Sequence, residues 1–308
     1  MHIGIVGAGL VGTGWAIVFA RGGEDVKIFD ASELARSRVG DEVAGRLADL
    51  KEFGLIDDAD AIMARVEVCA DMAEVIEGAE YVQESVPERV PLKQEVSRQI
   101  SELLGPGTVV GSSTSGIPAS AFTEELSNRD RFLVAHPVNP PYLVPVVEVA
   151  PAPWTAPDAV EKAMAVMSAV GQSPILVRRE IEGFILNRLQ GVLLREAWAL
   201  LEEGYASADD IDKTVREGLG LRWSFMGPFE TIDLNAPGGV REYAEVLGPL
   251  YHSIDASRSE PQLWRDELIG KAEAEMRGRI PANGLEERRN WRDRRLMALA
   301  AHKKAQES

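Results

Sequence analysis

The chain reads as an α/β protein, with a doubly wound sheet over residues 1–182 followed by an all-α domain over residues 183–308. Three observations predict this. A G-x-G-x-x-G, Gly7-Ala8-Gly9-Leu10-Val11-Gly12, lies between a short apolar strand and a helix. Strand-like runs then alternate with helical segments, the pattern of a wound sheet. Beyond residue 182 no strand pattern recurs. A length of 308 residues suits two domains.

Taken in order, Ile3-Gly4-Ile5-Val6 is a buried strand, and a helix runs from Leu10 to about Ala20 and stops at Gly22-Gly23. A second strand, Val26-Lys27-Ile28-Phe29, ends in Asp30. In this βαβ context the glycine loop is the dinucleotide fingerprint of a Rossmann-type domain. Gly7 allows the tight turn, Gly9 admits the pyrophosphate, and Gly12 lets helix and strand approach. Leu10 and Val11 open the helix whose N-terminus faces the phosphates. Asp30 accepts from a ribose 2′-hydroxyl and repels a 2′-phosphate, so the expected cofactor is NAD. Further strands are expected at Val66–Val68, Tyr81–Gln83, Val109–Val110, Phe132–Val134, Val146–Val147 and Ile175–Val177, with helices at Leu92–Leu103 and Ala159–Val170. Ser85–Glu88, Ser112–Ser115 and His136 all fall at strand carboxyl ends, where such sheets bind ligands.

His136 ends an apolar run, and Glu148 interrupts the next one. A carboxylate inside a β-branched run is costly without a partner. An imidazole held by that carboxylate is a general base poised near neutral pH. The same pattern fits a core histidine and a solvent-facing glutamate. The NAD site on the same sheet edge favours the catalytic reading.

The helical half opens with a helix to about Glu203, striped by Leu186, Leu189, Leu193, Leu194, Ala197, Leu200 and Leu201. Gly204 suits its C′ position, and Ser207-Ala208-Asp209-Asp210 resembles a capping box. The last helix, about Leu285 to Lys304, carries a mixed charge run, whose default is a solvated face, and enough apolar area for an oligomer contact.

A net charge of −16 argues against nucleic acid and anionic membrane surfaces. The single Cys69 excludes a disulfide framework and a multi-cysteine metal site, and no metal is expected. The N-terminus shows no basic leader, and no apolar run is long enough to span a bilayer. The expected location is cytoplasmic.

In all these motifs together the chain resembles the L-3-hydroxyacyl-CoA dehydrogenase superfamily. The matching residues are the glycine loop with Asp30, Glu84 to Glu88 with Lys93, Ser113-Thr114-Ser115, His136 to Asn139, Glu148, Gly183 to Arg188, and Met226 to Glu230. His136 to Tyr142, Gly218 to Trp223, and Arg289-Asn290-Trp291-Arg292-Asp293 look most like its λ-crystallin / L-gulonate 3-dehydrogenase branch. A charged helix stands where acyl-CoA enzymes end in a Gly-Phe-Tyr motif. The resemblance implies that His136 is the catalytic base and Glu148 its partner. It implies that Ser115 and Asn187 hydrogen-bond the reacting oxygen, and that Glu88, Lys93, Ser115 and Asn139 serve the cofactor. It also implies a homodimer.

The expected activity is oxidation of the 3-hydroxyl of a sugar acid, L-gulonate, by NAD. The alternatives are a 3-hydroxyacyl-CoA dehydrogenase acting on 3-hydroxybutyryl-CoA, a carnitine 3-dehydrogenase, and a non-catalytic NAD-binding structural or sensor protein. The Arg36–Arg46 region could approach CoA phosphates, but the expected CoA-binding lysine has no clear counterpart. Arg222 either clamps a substrate carboxylate or pairs across an interface.

Overall fold

The computed structural model describes residues 1–258, 260 and 263–307. The chain opens with β1 (His2–Val6), α1 (Leu10–Arg21), β2 (Asp25–Phe29), α2 (Glu33–Glu52), α3 (Ala59–Met63) and β3 (Val66–Val68). Next come α4 (Met72–Ile76), β4 (Tyr81–Glu84), α5 (Val90–Leu103), β5 (Val109–Ser112) and α6 (Ser120–Thr123). The sheet finishes with β6 (Phe132–Pro137), β7 (Val146–Pro151), α7 (Pro157–Ala169) and β8 (Ser173–Leu176). The helical part holds α8 (Leu186–Glu202), α9 (Ala208–Lys213), α10 (Gly220–Trp223), α11 (Pro228–Leu234), α12 (Gly239–Ala256), α13 (Asp266–Arg279) and α14 (Leu285–Glu307).

The strands form one eight-stranded sheet in the order β3-β2-β1-β4-β5-β6-β7-β8. Every pairing is parallel except β6 with β7. The chain reverses its direction across the sheet between β1 and β4, which opens the crevice where such sheets take ligands. Ile3, Ile5, Val82, Val109 and Val134 are fully buried, as expected of strands covered on both faces. The α1 helix is buried from Gly12 to Ala20, with Trp15 stacked on Phe19 at 5.3 Å between centroids. Each strand and helix expected from the sequence is present, and the doubly wound reading of the first half holds.

The described chain divides into two compact units, residues 1–188 with 289–308, and residues 189–288. The division falls inside α8, a few residues beyond the expected 182/183 boundary. The last helix from Arg289 onward, expected with the helical domain, belongs to the first unit. The reason is tertiary pairing. Arg294 meets Asp49 at 3.0 Å and Glu52 at 3.0 Å, and its guanidinium lies 4.8 Å from the Phe53 ring centroid. Arg46 reaches Asn290 at 3.3 Å and Asp293 at 4.0 Å, and Met297 is fully buried in the sheet's core cluster. Arg294 and Asp293 thus dock on α2, while Glu286, Glu287, Arg289, Arg292 and Arg295 keep the solvated face expected of the charge run.

In the second unit Gly204 takes φ 76° after α8, and Ser207 caps α9 by accepting from the Asp210 N–H. Leu201 is the only residue of α8 that is buried, while Leu189 and Val192 are 62% and 59% exposed. Among the described residues no helix is long and apolar enough to cross a membrane.

Candidate active site

The glycine loop has the shape its sequence demands. Gly7 takes φ 108°, and a Cβ there would lie 2.6 Å from the Ser85 carbonyl. A Cβ on Gly12 would lie 1.8 Å from the Gly7 carbonyl oxygen. A Cβ on Gly9 would meet nothing within 4 Å, so space stands open above the loop. Gly9 caps α1 without any side-chain hydrogen bond, which leaves the first-turn N–H groups of Leu10 and Val11 free for an anion. The Asp30 carboxylate is held by two backbone N–H groups, from Ala8 and Ser32, each at 2.8 Å. Beside it lies a cavity of about 420 Å³ walled by Phe29, Ala31, Met72, Val86 and Leu92. An apolar slot ending at a fixed carboxylate fits the adenosine half of a dinucleotide.

At the other end of the crevice, antiparallel pairing sets His136 directly opposite Glu148. Directly opposite residues project to the same face. His136 Nδ1 lies 2.8 Å from Glu148 Oε2. Glu148 Oε1 accepts the N–H groups of Ile185 at 2.7 Å and Leu186 at 2.9 Å. Burial pushes the Glu148 carboxyl pKa up. The His136 hydrogen bond and the Leu186 and Ile185 N–H groups outweigh this, and the pKa falls below its ordinary value. An anionic carboxylate only accepts, so neutral His136 carries its proton on Nδ1 and keeps its lone pair on Nε2. Nε2 has no hydrogen-bond partner among the described residues.

The first turn of α8 joins this pair to a second cluster. Asn187 Nδ2 donates to the Ser115 carbonyl at 2.6 Å. Glu88 Oε1 accepts from Thr114 Oγ1 at 2.6 Å and from the Ser115 and Gly116 N–H groups at 3.0 and 3.1 Å. Asn139 is exposed after β6, in a cis peptide bond to Pro140. Ser115 is exposed too, and Asn187 is half-buried. His136, Glu148, Asn187, Ser115 and Glu88 thus form one connected set. Arg222 belongs to the other compact unit, on α10, with its side chain exposed.

Lys93 is buried rather than open to the crevice. Its Nζ lies 3.0 Å from both carboxylate oxygens of the equally buried Glu84 and 3.9 Å from Glu88 Oε2. Any effect it has on the crevice runs through those two acids. Glu84 also accepts from Ser112 Oγ and from the Val86 N–H at 2.7 Å. The sequence placed Glu84 in a matching motif with Lys93 but gave it no role, although an acid closing an apolar strand nine residues before a lysine was a usable signal. Phe184 likewise stood in a matching motif without a role. This fully buried residue takes φ 48°, and its ring lies 5.7 Å from that of His136. With Gly183 at φ 74°, it turns the chain so that the next two N–H groups meet Glu148. No sequence signal marks a phenylalanine for positive φ.

A dinucleotide cradle and a carboxylate-backed histidine on one sheet edge fit an NAD-dependent dehydrogenase. Residues 2–181 match the 3-hydroxyacyl-CoA dehydrogenase NAD binding domain and residues 183–275 the C-terminal domain of the same enzymes. The chain is 36% identical to the lambda-crystallin of Oryctolagus cuniculus over 305 residues, 97% of this chain and 95% of that protein. It is 37% identical to the L-carnitine dehydrogenase of Streptomyces griseus over 291 residues, 93% and 86% of the two chains. Among solved structures, an FHMPC 5-dehydrogenase described as an NAD+-dependent dismutase superposes with a TM-score of 0.83, at 28% identity over 97% and 96% of the two chains. The chain belongs to the 3-hydroxyacyl-CoA dehydrogenase family, and NAD is its cofactor.

Proposed function

We propose that the protein is an NAD-dependent L-3-hydroxy acid dehydrogenase that oxidises the 3-hydroxyl of a free sugar acid, L-gulonate, to the 3-keto acid. The observation that carries the chemistry is the His136–Glu148 pair with its protonation fixed by geometry. NAD, when bound, accepts the hydride from the alcohol carbon. His136 Nε2 takes the hydroxyl proton. Glu148 holds the imidazole and stabilises the imidazolium that forms. The Ser115 hydroxyl and the second N–H of Asn187 Nδ2 donate to the developing carbonyl oxygen. Glu88 and Asn139 face the cofactor, and Lys93 orients Glu88.

A free acid needs a cation for its carboxylate. We propose Arg222 for that role, from its place in the Gly218 to Trp223 motif of the sequence. Similarity to an L-carnitine dehydrogenase also favours a free hydroxy acid, carnitine being one. A second reading, oxidation of 3-hydroxybutyryl-CoA, is favoured by 34% identity to a Gibberella moniliformis 3-hydroxyacyl-CoA dehydrogenase over 96% of this chain. We place the enzyme in the cytoplasm as a homodimer. The single cysteine supports the first assignment, and the exposed Leu189, Val192, Phe225 and Phe229 support the second.

The test follows NADH formation with L-gulonate, L-carnitine, L-3-hydroxybutyrate and 3-hydroxybutyryl-CoA. L-Gulonate is expected to give the highest kcat/KM. Arg222→Met is expected to raise its KM by about 100-fold, the loss of a charged hydrogen-bonded pair, with little change for NAD. Preference for the CoA ester, or equal effects of Arg222→Met on both KM values, would overturn the free-acid assignment.

A further inference from the structure

Between the glycine loop and the His136 strand lies a buried polar cluster that the reaction described above does not use. Ser113 Oγ, just past β5, has three neighbours: Gln83 Nε2 at 2.7 Å, Ser85 Oγ at 2.8 Å and Trp15 Nε1 at 3.1 Å. Gln83 Nε2 also meets the Ala135 carbonyl at 3.1 Å, and Gln83 Oε1 lies 2.9 Å from the Tyr81 hydroxyl.

Donor and acceptor roles follow from the groups that have no choice. The Ala135 carbonyl only accepts, so the Gln83 NH₂ faces it and the same NH₂ donates to Ser113. The Trp15 indole N–H only donates. Both lone pairs of Ser113 Oγ are then filled. Its one proton must go to its third neighbour, Ser85 Oγ. The Ser85 hydroxyl therefore cannot donate inwards, and its own O–H is left to point elsewhere. Among the described residues it has no second partner.

The position of Ser85 says where that donor is used. It follows β4 at the crevice, is only half-buried, and abuts the glycine loop. Its carbonyl carbon would meet a Cβ on Gly7 at 2.6 Å, and its own Cβ would meet one on Gly12 at 3.5 Å. We infer that Ser85 is a cofactor-binding residue whose O–H, turned outward by the Trp15–Gln83–Ser113 cluster, donates to an acceptor oxygen of the dinucleotide beside the loop. Trp15 and Gln83 are positioning residues that act through Ser113. The inference needs NAD binding and is independent of which hydroxy acid is oxidised.

The experiment is a fluorescence titration of the full-length protein with NADH, without substrate, on Ser85→Ala, Trp15→Phe and the double variant. Loss of one well-aligned donor to an oxygen acceptor predicts about tenfold weaker binding for Ser85→Ala. Trp15→Phe frees a lone pair on Ser113 and lets Ser85 turn inward, so a remote, buried change is expected to weaken NADH by about threefold. That threefold is expected to vanish in the Ser85→Ala background, where no hydroxyl remains to be oriented. Ser85→Cys keeps the volume but donates weakly, and it is expected to follow Ser85→Ala. NADH affinity within twofold of wild type for Ser85→Ala and Ser85→Cys would overturn the inference. So would a Trp15→Phe effect that adds undiminished to that of Ser85→Ala, which would mark Trp15 as packing alone.

Discussion

Replacing Glu148 with glutamine exchanges one acceptor oxygen for an NH₂ at a site where every contact is a donor. Ile185 and Leu186 point N–H groups at Oε1, and His136 Nδ1–H points at Oε2. Turning the new NH₂ towards the helix would bury donor against donor, at about 1–3 kcal/mol for each unmatched group. The amide oxygen therefore stays on the α8 N-terminus, and the NH₂ faces His136. Nδ1 must then accept, the ring proton moves to Nε2, and the lone pair needed by the substrate hydroxyl is gone. Loss of a charge-assisted bond to the imidazolium costs about 1.5–3 kcal/mol, roughly tenfold to 150-fold in rate. The wrong tautomer adds to this, since changing the aspartate behind a protease histidine to asparagine costs about 10⁴-fold. A fall in kcat of about 10³-fold is expected, with the NADH dissociation constant unchanged. Steady-state rates of NADH formation, with NADH binding measured separately, check this. A kcat within threefold of wild type would refute the tautomer argument, and so would a loss confined to cofactor affinity.

Other expectations rest on the same structure. Gly12→Ala sets a methyl group against the Gly7 carbonyl and is expected to weaken NADH on the order of 100-fold by prising α1 from the loop, as titration would show. Lys93→Met leaves Glu84 buried without its cation, an expected loss of about 3–5 kcal/mol in urea unfolding, and Glu84→Gln in the same background is expected to restore part of it. The lowered pKa of folded Glu148 gives stability that is present above the ordinary glutamate value of about 4.3 and lost as pH falls through the folded pKa. The urea midpoint of the wild type is expected to drop towards that of Glu148→Gln below pH ~4.3, and parallel curves would contradict this.

Much of this arrangement was legible in the residues. The strands could be read because a sheet covered on both faces demands runs such as Ile3–Val6 and Phe132–Val134. His136 and Glu148 could be paired because an acid inside an apolar run needs a partner, and the antiparallel register supplied it. The last helix could not be placed, since Arg292 to Arg295 look the same on a solvated face as on one paired with Asp49 and Glu52. The Lys93–Glu84 pair and the Ser113 cluster depend on which side chains the crossovers bring together, and local pattern carries no record of that. Phe184 was hidden for a different reason. Its positive φ is held by burial of the ring, not favoured by the residue itself.

The central claim is that His136 acts as the base of an NAD-dependent alcohol oxidation. The most direct test compares wild type with His136→Ala on the substrate of highest kcat/KM, measuring NADH formation and NADH binding on the same preparations. Removal of a general base predicts a fall in kcat of at least about 10²–10⁴-fold with NADH affinity within twofold. Turnover near that of the wild type in His136→Ala would contradict the account.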